Sequence, residues 1–163
     1  MIAITLLDAF ASMNIELRIL ASDIATDVVA RAMAGVYAVE TLSTVPKTML
    51  TRHFLKGTGP NAGFARIRPE VARLVTFRHI NLLDDEWPVH TRFDAIFCRN
   101  VLIYFDRPTQ KRVLEHLIEY LKEDGLLILG HSESVYGLVE GLRHVETTIY
   151  QRQKDGDECR PRS

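Results

Sequence analysis

Three phrases of the chain put polar side chains at the ends of apolar, strand-forming runs, where a hydrophobic core has no use for them. In the first, Leu17, Ile19 and Ala21 alternate with Arg18 and Leu20 and give way to Ser22 and Asp23. A carboxylate placed there can accept hydrogen bonds from both hydroxyls of a ribose, or it can cap the helix that follows. The second run ends in His79-Ile-Asn-Leu-Leu-Asp84. Asn81 and the backbone beside it can read the edge of an adenine, or Asn81 can form a turn. The third ends in Phe97-Cys-Arg-Asn-Val-Leu-Ile-Tyr-Phe-Asp106. Here Val101, Leu102, Ile103 and Phe105 read as a buried loop, Asn100 as a turn residue and Asp106 as the cap of a helix entered at Pro108. Arg99 is not explained that way, because a guanidinium at the end of a buried strand is costly unless it meets a carboxylate or phosphate. His131 and Ser132 also sit at a strand end, but a lone histidine there is more often a packed loop residue, and neither joins the candidates.

The elements that must position these residues alternate between strand and helix. The spacing of Ile2, Leu6, Leu7, Phe10 and Met13 predicts an amphipathic helix that Asn14 can end. A strand over 16–24 and a helix over 27–34 follow, with Gly35 as C-cap. Further on the pattern predicts a helix over 47–54, turns over 57–63, a short hairpin around 64–67 and one or two helical turns over 69–74. Strands over 75–82 and 93–98, a helix over 109–122, a strand over 126–129 and extended segments within 142–152 complete the chain, with Gly125 in the turn after the long helix. Alternating strands and helices predict a mostly parallel sheet covered on both faces, a Rossmann-like α/β architecture. In such sheets ligands lie beyond the C-terminal strand ends, which is where the three phrases fall.

Composition bounds the function. With 163 residues, 47% hydrophobic and 25% charged, the chain predicts one soluble globular domain over residues 1–153. Residues 154–163, polar and without periodicity, predict a disordered tail. A net charge of -1 gives no global field toward nucleic acid or an anionic membrane. The apolar opening 1–10 lacks a basic flank and is interrupted by Asp8, so neither a secretory signal nor membrane insertion is expected. Two cysteines, Cys98 in an apolar run and Cys159 in the tail, are not the arithmetic of a disulfide framework or a zinc site and fit a reducing cytoplasm.

The phrase from Phe97 to Asp106 resembles the signature of the CheR family, the chemotaxis receptor glutamate O-methyltransferases. Ile19-Leu-Ala-Ser-Asp-Ile24, Ala32-Met-Ala-Gly-Val-Tyr37, Gly57-Thr-Gly-Pro60, Asn81-Leu-Leu83, Asp124-Gly-Leu-Leu127 and Gly130-His-Ser-Glu133 resemble family segments in the same order, so the likeness spans nearly all of 2–151. It implies S-adenosylmethionine as cofactor, a cytoplasmic enzyme, and methyl-accepting chemotaxis receptors as partners. It also implies that Asp23 binds the ribose, that Asn81 and Leu82 contact the adenosine, and that Arg99, Asn100 and Tyr104 line the methyl-transfer end. Arg99 and Tyr104 are then the candidate catalytic residues, with Arg99 holding the attacking carboxylate and Tyr104 fixing its orientation. An ionised carboxylate attacking an activated methyl needs alignment more than a base or a metal. Residues 57–68 resemble the small β-subdomain that in some members docks the receptor's C-terminal pentapeptide. Arg52, Lys56, Arg66, Arg68, Arg73 and Arg78 against Glu70 alone would favour such a carboxylate. A solvated loop is the plainer reading of the same segment.

The likeness also implies departures. Residues 2–8 resemble the helix that follows the family's glycine-rich cofactor turn, so the chain is expected to lack that turn, the first strand and the helical N-terminal domain. The missing strand would lie between the strands ending at Asp23 and Asn100, leaving two unpaired edges. A catalytically inactive receptor-binding module is therefore the alternative to an enzyme, and in-frame coding sequence ahead of Met1 would decide between them. A nicotinamide oxidoreductase finds no Gly-x-Gly-x-x-Gly turn to support it.

Overall fold

The computed structural model describes residues 1–153. They fall into two compact units, Met1–Asn81 and a second beginning at Leu82. Among the described residues no helix is long and apolar enough to cross a membrane.

The first unit opens with α1 (Ile2–Ala9), which stops short of the expected Met13. The apolar spacing runs on, but residues 10–13 form successive turns: the Phe10 N–H donates to Leu6 and that of Met13 to Phe10. β1 (Ile19–Asp23) pairs in parallel with β5 (Val75–His79), with Asp23 opposite His79. Between them run α2 (Thr26–Ala34), β2 (Val36–Ala38), α3 (Lys47–His53), β3 (Phe54–Lys56), β4 (Phe64–Ile67) and the single turn α4 (Pro69–Ala72). Gly35 ends α2 in the left-handed conformation, φ 60°, with the Ile67 side chain where a Cβ would sit.

The hairpin expected around 64–67 proves to be the centre of a larger antiparallel sheet. β4 lies between β2 and β3, so the small β-structure draws on 36–38 and 54–56 as well as 57–68. Period-two alternation sets its faces: Ala65 is buried, while Phe64 and Arg66 point outward. Ile4, Leu42, Phe54, Ala65 and Val71 form the core of this unit. The buried His53 Nε2 lies 3.1 Å from both oxygens of Asp8, tying α3 to α1. Arg52, expected to face only Glu70, instead pairs with Asp8 at 3.3 Å.

In the second unit β6 (Phe93–Cys98) pairs in parallel with β7 (Leu121–Leu129), which pairs antiparallel with β9 (Ile149–Arg152), and β9 with β8 (Leu142–Glu146). Of the two strands expected to have free edges, β1 pairs with β5 alone and β6 with β7 alone among the described residues. α5 (Arg107–Glu119) packs on β7 and buries Val113, Leu114 and Leu117. It begins at the predicted cap, where Asp106 accepts from the Thr109 N–H at 3.0 Å. Hydrogen bonds from Thr109 hold the Asp106 carboxyl below its usual range. The strand after it starts at Leu121 rather than Leu126, because Leu121 is already paired with Phe93. Between these pairings the chain bends at Asp124, which has a left-handed φ of 61°, beside the Gly125 expected in the turn. Gly125 is required because a Cβ there would lie 2.8 Å from the Lys122 carbonyl oxygen. Trp87 is buried and stacks on Tyr120 at 4.9 Å and beside His116 at 4.4 Å. The expected tail, 154–163, lies outside the described residues.

Candidate functional site

Asp23 stands at the C-terminal end of β1, exposed, as the strand reading requires. Its Oδ1 accepts from the Ala25 N–H at 2.8 Å, an Asx turn that leads the chain into α2. The turn-forming and ligand readings of Asp23 are therefore compatible: one oxygen shapes the turn while the group remains open to solvent. Asn81, half-buried, closes the first unit two residues beyond β5, and Leu82, also half-buried, opens the second.

The other candidates share one stretch of the second unit. β6 delivers Arg99 and Asn100, both exposed, and a 3-10 turn at Leu102–Tyr104 presents Tyr104, which is 79% exposed. This stretch is not a loose loop. Asn100 adopts φ 59° and Val101 φ -117°, ψ -45°, and this left-handed then right-handed sequence turns successive N–H groups toward one point. At that point sits the carboxylate of Glu133, in a residue only 6% exposed. It accepts from the N–H groups of Asn100 at 2.9 Å, Val101 at 2.8 Å, Leu102 at 2.7 Å and Gly130 at 2.6 Å.

From the other side the Gln110 amide on α5 donates to the carbonyls of Leu102 at 3.0 Å and Phe105 at 2.9 Å. Gly130 is obligatory here, since a Cβ would lie 2.6 Å from Asn100 Oδ1 and 2.7 Å from Glu133 Oε2. Burial alone would raise the Glu133 carboxyl, but its four backbone donors outweigh that and hold it below the usual range. Hydrogen bonds to a charged group contribute about 1.5–3 kcal/mol each, enough together to offset a burial cost of several kcal/mol. The neighbouring Cys98 thiol is buried, and burial together with the Glu133 charge pushes it up to about 12.

A family model described as CheR methyltransferase, SAM binding domain, matches residues 1–151. The chain belongs to the CheR methyltransferase family. It is 48% identical over 149 residues to Chemotaxis protein methyltransferase 2 of Pseudomonas aeruginosa, covering 91% of this chain and 53% of that protein. Against the Chemotaxis protein methyltransferase of Klebsiella aerogenes it is 50% identical over 154 residues, covering 94% and 53%, and against that of Salmonella typhimurium 44% over 154 residues, covering 94% and 54%. The chain spans about half the length of the curated relatives it matches.

Each unit holds one parallel pair, β1–β5 in the first and β6–β7 in the second, with polar residues at the C-terminal ends, the arrangement of a Rossmann-like methyltransferase fold. The donor set suits the adenosine part of S-adenosylmethionine. An exposed carboxylate can accept from a ribose diol, and an asparagine followed by a leucine offers an amide and an apolar contact. Arg99, Asn100 and Tyr104 lie together on one braced stretch, whereas Asp23 and Asn81 belong to the first unit. Sequence reasoning missed Glu133 and Gln110. The phrase Gly130-His-Ser-Glu133 pointed at the right segment, yet His131 and Ser132 are exposed and Glu133 is the residue that reaches inward.

Proposed function

We propose that this chain serves S-adenosylmethionine-dependent methylation of glutamate side-chain carboxylates of chemotaxis receptors, giving glutamate methyl esters in the cytoplasm. Arg99 carries the reading: an exposed guanidinium at the C-terminal end of a parallel strand, on a stretch with a fixed backbone, in a chain of the CheR family. The cofactor supplies a methyl group already activated on a sulfonium. A glutamate substrate is ionised at neutral pH, so the chain has no proton to remove and its task is alignment. Arg99 pairs with the attacking carboxylate, and Tyr104 donates its hydroxyl to the same group to fix its direction. A single cation with neutral neighbours is a suitable composition, since further positive charge would damp the nucleophile and repel the sulfonium. Asp23 accepts from the ribose hydroxyls, Asn81 and Leu82 hold the adenosine, and Asn100 completes the contacts near the reacting end. Family resemblance supports these assignments.

The test uses the natural gene product, with any residues encoded in frame ahead of Met1, and receptor-bearing membranes. Arg99→Ala is expected to lower methyl transfer about 100-fold at an unchanged thermal midpoint, the scale of losing one aligned charge-assisted contact. Asp23→Asn is expected to weaken cofactor binding in calorimetry, because the amide keeps the shape without the charge. Wild-type turnover in Arg99→Ala removes Arg99 from the reaction, and a wild-type protein without transfer activity leaves the receptor-binding module as the better account.

A further inference from the structure

Three successive backbone N–H groups converging after a strand make an anion site, and this one is filled by the chain's own Glu133. We propose that Glu133 is a positioning residue for methyl transfer: it plugs the nest behind Arg99 and Asn100, fixes the backbone from Cys98 to Leu102, and leaves Arg99 as the cationic partner for an incoming carboxylate. The inference rests on the methyltransferase reading above. Two consequences of the plug matter for that reaction. Asn100 is held in a left-handed conformation, φ 59°, which asparagine tolerates better than other non-glycine residues and which aims its N–H, with those of Val101 and Leu102, at the Glu133 carboxylate. Four amides aimed at one point would also attract any carboxylate that reached them, so an empty nest would compete with Arg99 for the substrate.

Glu133 does not reach substrate under this proposal. It acts through the strand end, in concert with Gly130, which leaves the space its carboxylate occupies. Gln110 braces the opposite side of the same stretch through the carbonyls of Leu102 and Phe105. The backbone polar groups of the stretch are thus held by a carboxylate on their donor side and an amide on their acceptor side.

The experiment compares wild type, Glu133→Gln and Glu133→Ala in the natural gene product, with alkylation of Cys98 followed by mass mapping of the peptide that carries it. Glu133→Gln keeps the volume but turns an amide N–H toward backbone donors. Its kcat is expected to fall about 100-fold, the cost of misplacing reacting groups by about 1 Å. Cys98 should react faster with iodoacetamide, because a looser stretch exposes it and because the Glu133 charge that raises its thiol is gone. Glu133→Ala empties the nest, and sodium formate should restore both kcat and Cys98 protection saturably, while sodium chloride at equal ionic strength should not. Wild-type kcat in Glu133→Gln overturns the proposal, as does lost kcat with Cys98 still protected and no response to formate. A wild-type protein that transfers no methyl group fails the underlying reading, and the positioning role falls with it. Cys98 alkylation still tells the two failures apart, because it reads the plug without the reaction.

Discussion

At the residue scale, the buried carboxylate of Glu133 makes the acid side of stability a local property. An unfolded glutamate titrates near 4.5, and the folded group is held below that value by its four backbone donors. A carboxyl with a depressed folded value binds protons more readily when unfolded, so its contribution is complete above about 4.5 and is lost as pH falls through the folded value. Glu133→Gln should therefore melt below wild type at pH 7, by an amount equivalent to about 1–3 kcal/mol, and the gap should narrow as the pH falls below about 4.5. A gap that stays constant over that range, followed by differential scanning calorimetry, would show that the charge is not what the nest holds. None of this was legible in Gly130-His-Ser-Glu133 as a string. A glutamate after a serine reads as surface, and its burial depends on three amides that come from residues some thirty positions earlier.

At the element scale, the sequence was most informative where local signals and tertiary pairing agree. β6 has the predicted bounds, Phe93–Cys98, and α2 ends at Gly35 as expected. Asp106 caps α5, and its backbone placement follows from Pro108 in the first turn. The misses share a cause: the end of α1 and the strand start at Leu121 depart from expectation where turns or strand pairing override periodicity. The antiparallel trio β2-β4-β3 could not be read at all from 57–68, because its outer strands come from elsewhere in the chain. That trio alters how the proposed receptor-docking role should be tested. Deleting 57–68 would remove the central strand, whereas Arg66 projects from it beside Val36 and Leu55 on the flanking strands. Arg66→Glu should weaken binding of a carboxylate-terminated receptor pentapeptide by about tenfold or more at low salt, where a charge reversal counts most. Titration calorimetry with the isolated peptide checks it, and unchanged affinity would place the docking face elsewhere.

At the scale of the whole molecule, the residues assigned to cofactor reach mainly its adenosine part, through Asp23, Asn81 and Leu82. The 163-residue chain alone is accordingly expected to hold S-adenosylhomocysteine weakly, each hydrogen bond not made being worth about 1–3 kcal/mol when charge-assisted. Micromolar S-adenosylhomocysteine should shift its thermal midpoint by less than about a degree, and an upward shift of several degrees would show that these residues suffice. The buried ring stack of Trp87, Tyr120 and His116 sets how such a melt can be observed. Trp87 is the chain's single tryptophan and belongs to the second unit. Emission excited at the red edge of the indole band is therefore blind to the first 81 residues, while far-ultraviolet circular dichroism sums over both units. Two optical traces from one cuvette thus give a separate unfolding curve for the unit that carries Arg99, without a label or a cut in the chain.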